Sequence, residues 1–581
     1  MYKKEPRFKK KSADDQKGMI FMTETENKEK LNSAGAAGSG TGSAGVPASV
    51  SGFGSGAAGA GTPGTPGTPG AGAPGTPGAR PALSPARIFH LVLLVLQSLL
   101  SAGVLYYIFA GGLLPAGLSF AGAAAILVTF VISMFLQLHG HGALRSAGAI
   151  LSIFLCGMLV FGFLYLQRID RTLTAISDAQ MQTDEMVVVV RSDDPAETIE
   201  DTAGYRFGIS STGSTDRLTE MIADIESRIA TVPEVTEYPS PVEQGNALLA
   251  GETDALIYNS AITSMMDEVI ENYSDQVRII YTKEFTYEVS QDGSADAASA
   301  GDQQTSDPSA AAGTDPQPSQ ADLPITERAF NVYISGIDVS GPISTTSRSD
   351  VNIIMTVNAR THKILLTTTP RDYYVTIPGI SGDARDKLTH AGIYGIGASM
   401  ATLENLYGTH MDEYIRINFT SLIRIVDVLG GVDVQSEYSF SAGGYNFTQG
   451  LNHLDGQAAL AFSRERYSFA SGDNQRGRNQ QAVLTAIIEK MQSASVLRNA
   501  DEVMQVISEC MQTSMSKDDM TSLISAQIAS NPHWTVESQQ ATGFGDTQPT
   551  YSMGSMQLYV MWPDNEVLPG LSEKIAKTLA E

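Results

Sequence analysis

Cysteine is nearly absent. The 581 residues hold two, Cys156 and Cys510, too few and too far apart for a disulfide framework or a paired C-x-x-C site. Positive charge is also scarce: 38 Lys and Arg stand against 63 Asp and Glu, for a formal net charge of −25. That balance lacks the positive field of a general nucleic-acid surface, so no nucleic-acid partner is expected. No Gly-rich loop ending in Lys-Ser/Thr, no H-E-x-x-H and no G-x-S-x-G occurs. P-loop hydrolases, zinc peptidases of that motif and nucleophile-elbow hydrolases are thereby excluded. The histidines at 362, 390, 410 and 453 are scattered and read as surface or hydrogen-bonded side chains, not ligands.

What is present is unevenly placed. Residues 1–33 begin with Lys3, Lys4, Arg7, Lys9, Lys10 and Lys11. No short apolar core with a small-residue cleavage site follows closely, so this reads as a basic cytoplasmic tail, not a cleavable signal peptide. Residues 34–86 are rich in Gly, Ala, Ser, Thr and Pro, with a Thr-Pro-Gly repeat at 62–70. They cannot bury enough apolar surface to offset chain entropy, and a disordered linker is expected. Three apolar runs follow at 88–110, 120–138 and 147–166, each about the ~20 residues a membrane-crossing helix needs. Segment 87–168 is therefore expected to span a membrane three times. Arg80, Arg87 and the basic tail precede the first span, and Arg145 lies in the second loop. The positive-inside rule then puts the N-terminus in the cytoplasm and everything after 168 outside the cell membrane.

Residues 185–288 read as a small α/β unit. Strands are predicted at 186–190, 206–209 and 254–258, alternating with helices at 218–229, 242–250 and 261–270, which suggests a mostly parallel sheet. The Ser/Thr/Gly turn at 210–215 fits an anion site or an ordinary N-cap, the latter being favoured. Gln244-Gly245 and Leu248-Leu249-Ala250-Gly251 before Asp254-Ala255 loosely resemble a lobe of a periplasmic solute-binding protein, which implies sensing or docking. Segment 289–324 reads as a second disordered linker, isolating a last domain at 325–581.

In that domain, strands are predicted at 329–335, 351–357 and 363–369. Arg348 and Asp350 precede the second, and Arg371 and Asp372 follow the third. Strand ends are where rigid scaffolds hold functional groups, and residues two apart share a strand face. Helices are expected at 398–406 and 419–429, the second stopped by Gly430-Gly431. A strand at 432–434, a short helix at 455–459, a strand at 460–466 and a helix at 473–490 follow, with Asp473 as a helix cap. A helix at 500–512 and a strand at 556–561 complete the prediction. Residues 460–480 gather Arg464, Arg466, Arg476 and Arg478 with Asp473 and Gln480. Guanidinium groups bind phosphate in forked geometry; a salt-bridged helix face is the other reading of this stretch alone.

Taken in order, Gly336-Ile337-Asp338, Arg348-Ser349-Asp350, Thr369-Pro370-Arg371-Asp372, the 426–432 segment Val-Asp-Val-Leu-Gly-Gly-Val, Arg464-Glu465-Arg466, Asp473-Asn474-Gln475-Arg476 and Gln480 resemble the LytR–CpsA–Psr family of cell-wall glycopolymer transferases. The match covers most of 325–495, and the spans with an accessory unit resemble its longer, capsule-associated members. The resemblance implies an α/β domain with a central mixed sheet flanked by helices and an apolar tunnel for a polyprenyl chain. It implies transfer of a glycan phosphate from undecaprenyl diphosphate to peptidoglycan, attaching a polymer such as capsule or teichoic acid. Asp338 and Asp350 would hold Mg²⁺. Arg348, Arg371, Arg464, Arg466, Arg476 and Gln480 would bind the diphosphate, with Arg371, Arg464, Arg466 and Asp473 in the catalytic group. Partners implied are the polyprenyl diphosphate-linked glycan, peptidoglycan, the membrane and glycopolymer biosynthesis proteins. Hydrolysis of the lipid diphosphate and a non-catalytic envelope sensor are the alternatives.

Overall fold

The computed structural model describes residues 84–177, 181–212, 215–289, 323–337, 342–493 and 500–581. The basic tail, nearly all of both low-complexity segments and Asp338 lie outside the described residues.

Three helices, Pro85–Ala110 (α1), Ala116–His139 (α2) and Ala143–Ser177 (α3), are long and apolar enough to cross a membrane. Pro85 opens α1, where its missing N–H costs no helical hydrogen bond. Large apolar side chains such as Leu99, Phe120 and Phe161 face outward, as lipid contact requires. A buried polar set joins the helices instead. Gln97 Oε1 accepts from Ser133 Oγ at 2.8 Å and Ser152 Oγ at 2.5 Å, one donor from each neighbouring helix. Without water, such groups must satisfy each other. α3 continues past the apolar stretch. Its Asp170 meets Lys517 Nζ at 2.6 Å, Arg168 donates to Gln505 at 2.5 Å, and Ile176 enters the core beside Val426 and Phe462. One helix thus joins the last span to the C-terminal domain.

The accessory unit has strands Met181–Arg191 (β1), Arg206–Ser210 (β2), Glu234–Tyr238 (β3), Ala255–Asn259 (β4) and Val277–Glu288 (β5), in the order β3-β2-β4-β1-β5. β2 is parallel to β3 and β4, whereas β1 is antiparallel to both its neighbours. The sheet is mixed, not mostly parallel. Parallel neighbours occur only where a full crossover helix intervenes, here Thr215–Ile229 (α4) and Pro241–Ala250 (α5). The valine run of β1 is buried on both faces: Val188 and Val190 enter one cluster, Val187 and Val189 the other.

The C-terminal domain is built on Ala329–Ile337 (β6), Ser349–Asn358 (β7), Lys363–Thr369 (β8) and Glu413–Asn418 (β9). With edge strands 512–513 and 535–540 they form a six-stranded mixed sheet. Period-2 alternation sorts its two faces. Tyr333, Ile354 and Leu365 pack under Ile396–Tyr407 (α6) and the C-terminal helix Leu568–Ala580. Val332, Ile334, Ile353, Ile364 and Leu366 face Leu484 and Ile488 of Asp473–Met491 (α8). β6 is buried along its whole length, so both faces of the strand must be apolar or paired.

One expected strand is replaced. Residues 460–466 do not extend: Gly456–Arg464 is a helix (α7), capped by Asp455 accepting from Ala458 N. Ala458, Ala459, Phe462 and Ser463 are its buried face, a helical spacing that a strand would split between two faces. Asp473 is likewise not the cap of α8; Gly472 is, with φ 52°, and Asp473 is the first helical residue.

Arg416 on β9 was not singled out in the sequence, yet it is fully buried. It donates to the carbonyls of Ile343 at 3.1 Å, Ser344 at 3.4 Å and Thr345 at 2.6 Å, and burial pulls its guanidinium down to about 10. The same loop accepts Thr183 N of β1 at Ser344 O, 2.9 Å, and leads directly into Arg348. Arg416→Met leaves those carbonyls without their donor and is expected to lower unfolding free energy by about 3 kcal/mol, read as a lower Tm. An unchanged Tm would contradict this role.

Candidate active site

β7 and β8 are antiparallel, with Asn352 opposite Thr369. The start of one strand therefore lies beside the end of the other, and Arg348, Asp350, Arg371 and Asp372 meet at one end of the sheet. Arg371 Nη1 donates to Asp350 Oδ2 at 2.8 Å, and Thr389 Oγ1 donates to Asp350 Oδ1 at 2.9 Å. Thr389 lies on the short helix Leu388–Ala391, which approaches the strand because Gly392 follows. A Cβ there would stand 2.6 Å from Ser347 O and 2.7 Å from Ser349 N, backbone atoms that cannot yield cheaply. Asp372 pairs with Lys387 Nζ at 3.2 Å. Arg371 Nε is 3.7 Å from Asp372, too long for a hydrogen bond. It is buried with no hydrogen-bond partner among the described residues.

α8 closes the other side. Asp473 and Arg476 form an ion pair three residues apart. Burial pushes the Asp473 carboxyl up, with Asp372 adding to the rise and the Arg476, Arg371 and Arg466 charges opposing it. Burial also draws the Arg476 guanidinium down; Asp473 opposes that shift, and Arg371 reinforces it. Burial likewise pushes Asp350 up, but Arg371, Arg348 and Arg476 outweigh it and hold the carboxyl below its usual range. These charges act on one another because they share one poorly solvated region.

Arg348, Asp350, Arg371, Asp473 and Arg476 are thus brought together, with Arg466 acting electrostatically on Asp473 and Arg476. Gln480 lies half-buried one helical turn beyond Arg476. Arg464 does not join them. It ends α7, is exposed, and sits over the Phe419 ring at 4.2 Å. It shares no strand face with Arg466, which is in the turn after the helix and donates to Tyr467 Oη at 2.6 Å. Arg478 points away, to Glu437 at 3.1 Å and to Gln475. Thr389 and Glu268 were missed; Asp372 belongs to the Arg/Asp pair read after the third strand, and the sequence leaves Lys387 evenly poised between a site role and an ordinary one. Glu268 of the accessory unit accepts from Arg348 Nη1 at 2.5 Å. Burial raises its carboxyl, but Arg348, Lys387 and Arg371 outweigh that and lower it.

Residues 285–561 match the model of the LytR_cpsA_psr family. The polyisoprenyl-teichoic acid--peptidoglycan teichoic acid transferase TagU of Enterococcus faecalis is 36% identical over 219 residues, 37% of this chain and 71% of the relative. The protein of that name from Oceanobacillus iheyensis is 32% identical over 227 residues, 38% of this chain and 68% of the relative. The crystal structure of B. subtilis TagU aligns with a TM-score of 0.35 at 27% identity, covering 44% of this chain and 98% of that one.

Proposed function

Because the chain belongs to the LytR–CpsA–Psr family, we propose that it is a membrane-anchored phosphotransferase that moves a glycan phosphate from a polyprenyl diphosphate carrier to peptidoglycan. The observation that carries this is Arg371. A half-buried guanidinium whose buried Nε–H finds no partner among the described residues, beside Arg348, Lys387 and Arg476, suits an anion with several acceptor oxygens. In the extracytoplasmic orientation expected from the flanking charges, α3 would hold this site outside the membrane, where peptidoglycan is met.

Phosphoryl transfer asks mainly for positioning and charge neutralisation. Arg348, Arg371, Lys387 and Arg476 neutralise the diphosphate, and Arg466 and Gln480 flank Arg476. Arg464 reaches the phosphates only by leaving Phe419, so its share is smaller. The acceptor hydroxyl oxygen attacks the phosphorus that bears the glycan. The bond to the bridging oxygen breaks, and polyprenyl phosphate leaves with that oxygen. Asp473, its carboxyl raised by burial, takes the hydroxyl proton as general base.

The residues present fit Mg²⁺. Asp350 offers hard carboxylate oxygens that each keep a lone pair beyond the bonds from Arg371 and Thr389. Among the described residues no three metal-ligating side chains cluster, and Mg²⁺ takes only one or two carboxylates, with waters and phosphate oxygens for the rest. Asp350, together with Asp338 from outside the described residues, would hold it. Bound there, the ion would supply charge stabilisation at the phosphate oxygens. EDTA is expected to abolish transfer by the purified chain, and added Mg²⁺ to restore it. Full activity in EDTA would sink the metal assignment.

A further inference from the structure

The helix Thr263–Val269 of the accessory unit is docked on the C-terminal domain. Met265 and Val269, with Val242, pack against Ile393, Met553, Met556 and Leu558. This apolar seat places Glu268 at the arginines. Its Oε1 lies 2.5 Å from Arg348 Nη1 and 3.8 Å from Arg371 Nη2, and its Oε2 lies 3.9 Å from Lys387 Nζ. One carboxylate is thus shared by three cations, all on the opposite domain.

We propose that Glu268 is an internal competitor for the phosphate site: the accessory unit lends its carboxylate to the cations that the substrate diphosphate needs, and substrate binds by displacing it. This rests on reading those arginines as the diphosphate site. A carboxylate and a phosphate take the same guanidinium donors, and Arg348 Nη1 cannot serve both at 2.5 Å. Arg348 is buried, so loss of Glu268 leaves its charge with the Asp350 carboxylate as its remaining counter-charge among the described residues and strengthens its demand for another anion. The accessory unit is held elsewhere as well. Thr183 bridges Thr345 in parallel register, and Gln512 Nε2 donates to Met181 O at 2.6 Å. Displacing Glu268 therefore asks for movement of one side chain or one short helix, not undocking of the unit. The opposite arrangement, in which Glu268 orients Arg348 for substrate, predicts the opposite sign.

The test uses the full chain purified in detergent, with inorganic pyrophosphate as the probe and calorimetric titration as the readout. Glu268→Gln, which keeps the side chain's shape, and Glu268→Ala are expected to bind pyrophosphate about tenfold tighter than wild type, within the usual range of coupling between sites. The KM for the lipid diphosphate should fall in parallel. Arg371→Ala is expected to lose pyrophosphate binding. If that loss occurs but both Glu268 variants bind equally or more weakly, the competitor role is overturned and the anion site stands. If Arg371→Ala binds as wild type does, the anion-site reading fails and the competitor role fails with it.

Discussion

Arg371→Ala and Arg476→Ala each lower glycan transfer by about a thousandfold, the scale of losing a main electrostatic stabiliser of a transition state. Arg464→Ala lowers it by less than about tenfold, the scale of an exposed contact. Sequence alone treats these arginines alike, so the contrast tests the geometry. Arg371 bonds Asp350 at 2.8 Å and keeps a buried Nε–H without a partner among the described residues. Arg476 is half-buried against Asp473. Arg464 is exposed over Phe419. Equal losses at all three positions, measured by glycan attached per minute on proteins with unchanged circular dichroism, would refute the separation.

Asp473→Asn lowers the rate constant by about 10²–10⁴-fold, the usual share of a general base, and removes the acid limb of the pH–rate profile. The sign follows from the raised carboxyl. A base works ionised, so wild-type activity falls as pH drops through a value above the ordinary carboxylate range. Stability responds in the opposite sense. Asp473 favours the folded state below its unfolded value, a contribution lost as pH rises through the folded value. Asp350 and Glu268 are depressed; their contribution is present at neutral pH and is lost as pH falls through their folded values. The asparagine variant should therefore be much slower but no less stable at neutral pH. A variant that keeps both its rate and its acid limb would remove Asp473 from the base role.

The strands that frame the site were legible because their signals were local. β8 runs from Lys363 to Thr369 as expected, an apolar stretch ended by Pro370. The Arg/Asp pairs at the ends of β7 and β8 meet because antiparallel neighbours juxtapose start and end. Gly430 and Gly431 have φ of 74° and 83°, as the expected helix stop requires. Other elements failed for physical reasons. β9 was overlooked because Arg416 occupies one of its buried positions, breaking the apolar alternation. Residues 460–466 are too short and mixed to separate periods of 2 and 3.6, and packing of Phe462 against Phe440 and Phe447 accompanies the helix. Glu268 had no local signal at all. It lies 80 residues from Arg348 and reaches it only through the docking of one domain on another.

The proposed site moves a phosphate-linked glycan to an acceptor rather than releasing it into water. The most direct measurement is the product balance of the purified chain given a polyprenyl diphosphate-linked glycan, with and without peptidoglycan. The expected result is polyprenyl phosphate released in equal amount to glycan bound on peptidoglycan, with release nearly absent when peptidoglycan is withheld. Release at the same rate without peptidoglycan, accompanied by free glycan phosphate, would contradict transfer and identify a hydrolase.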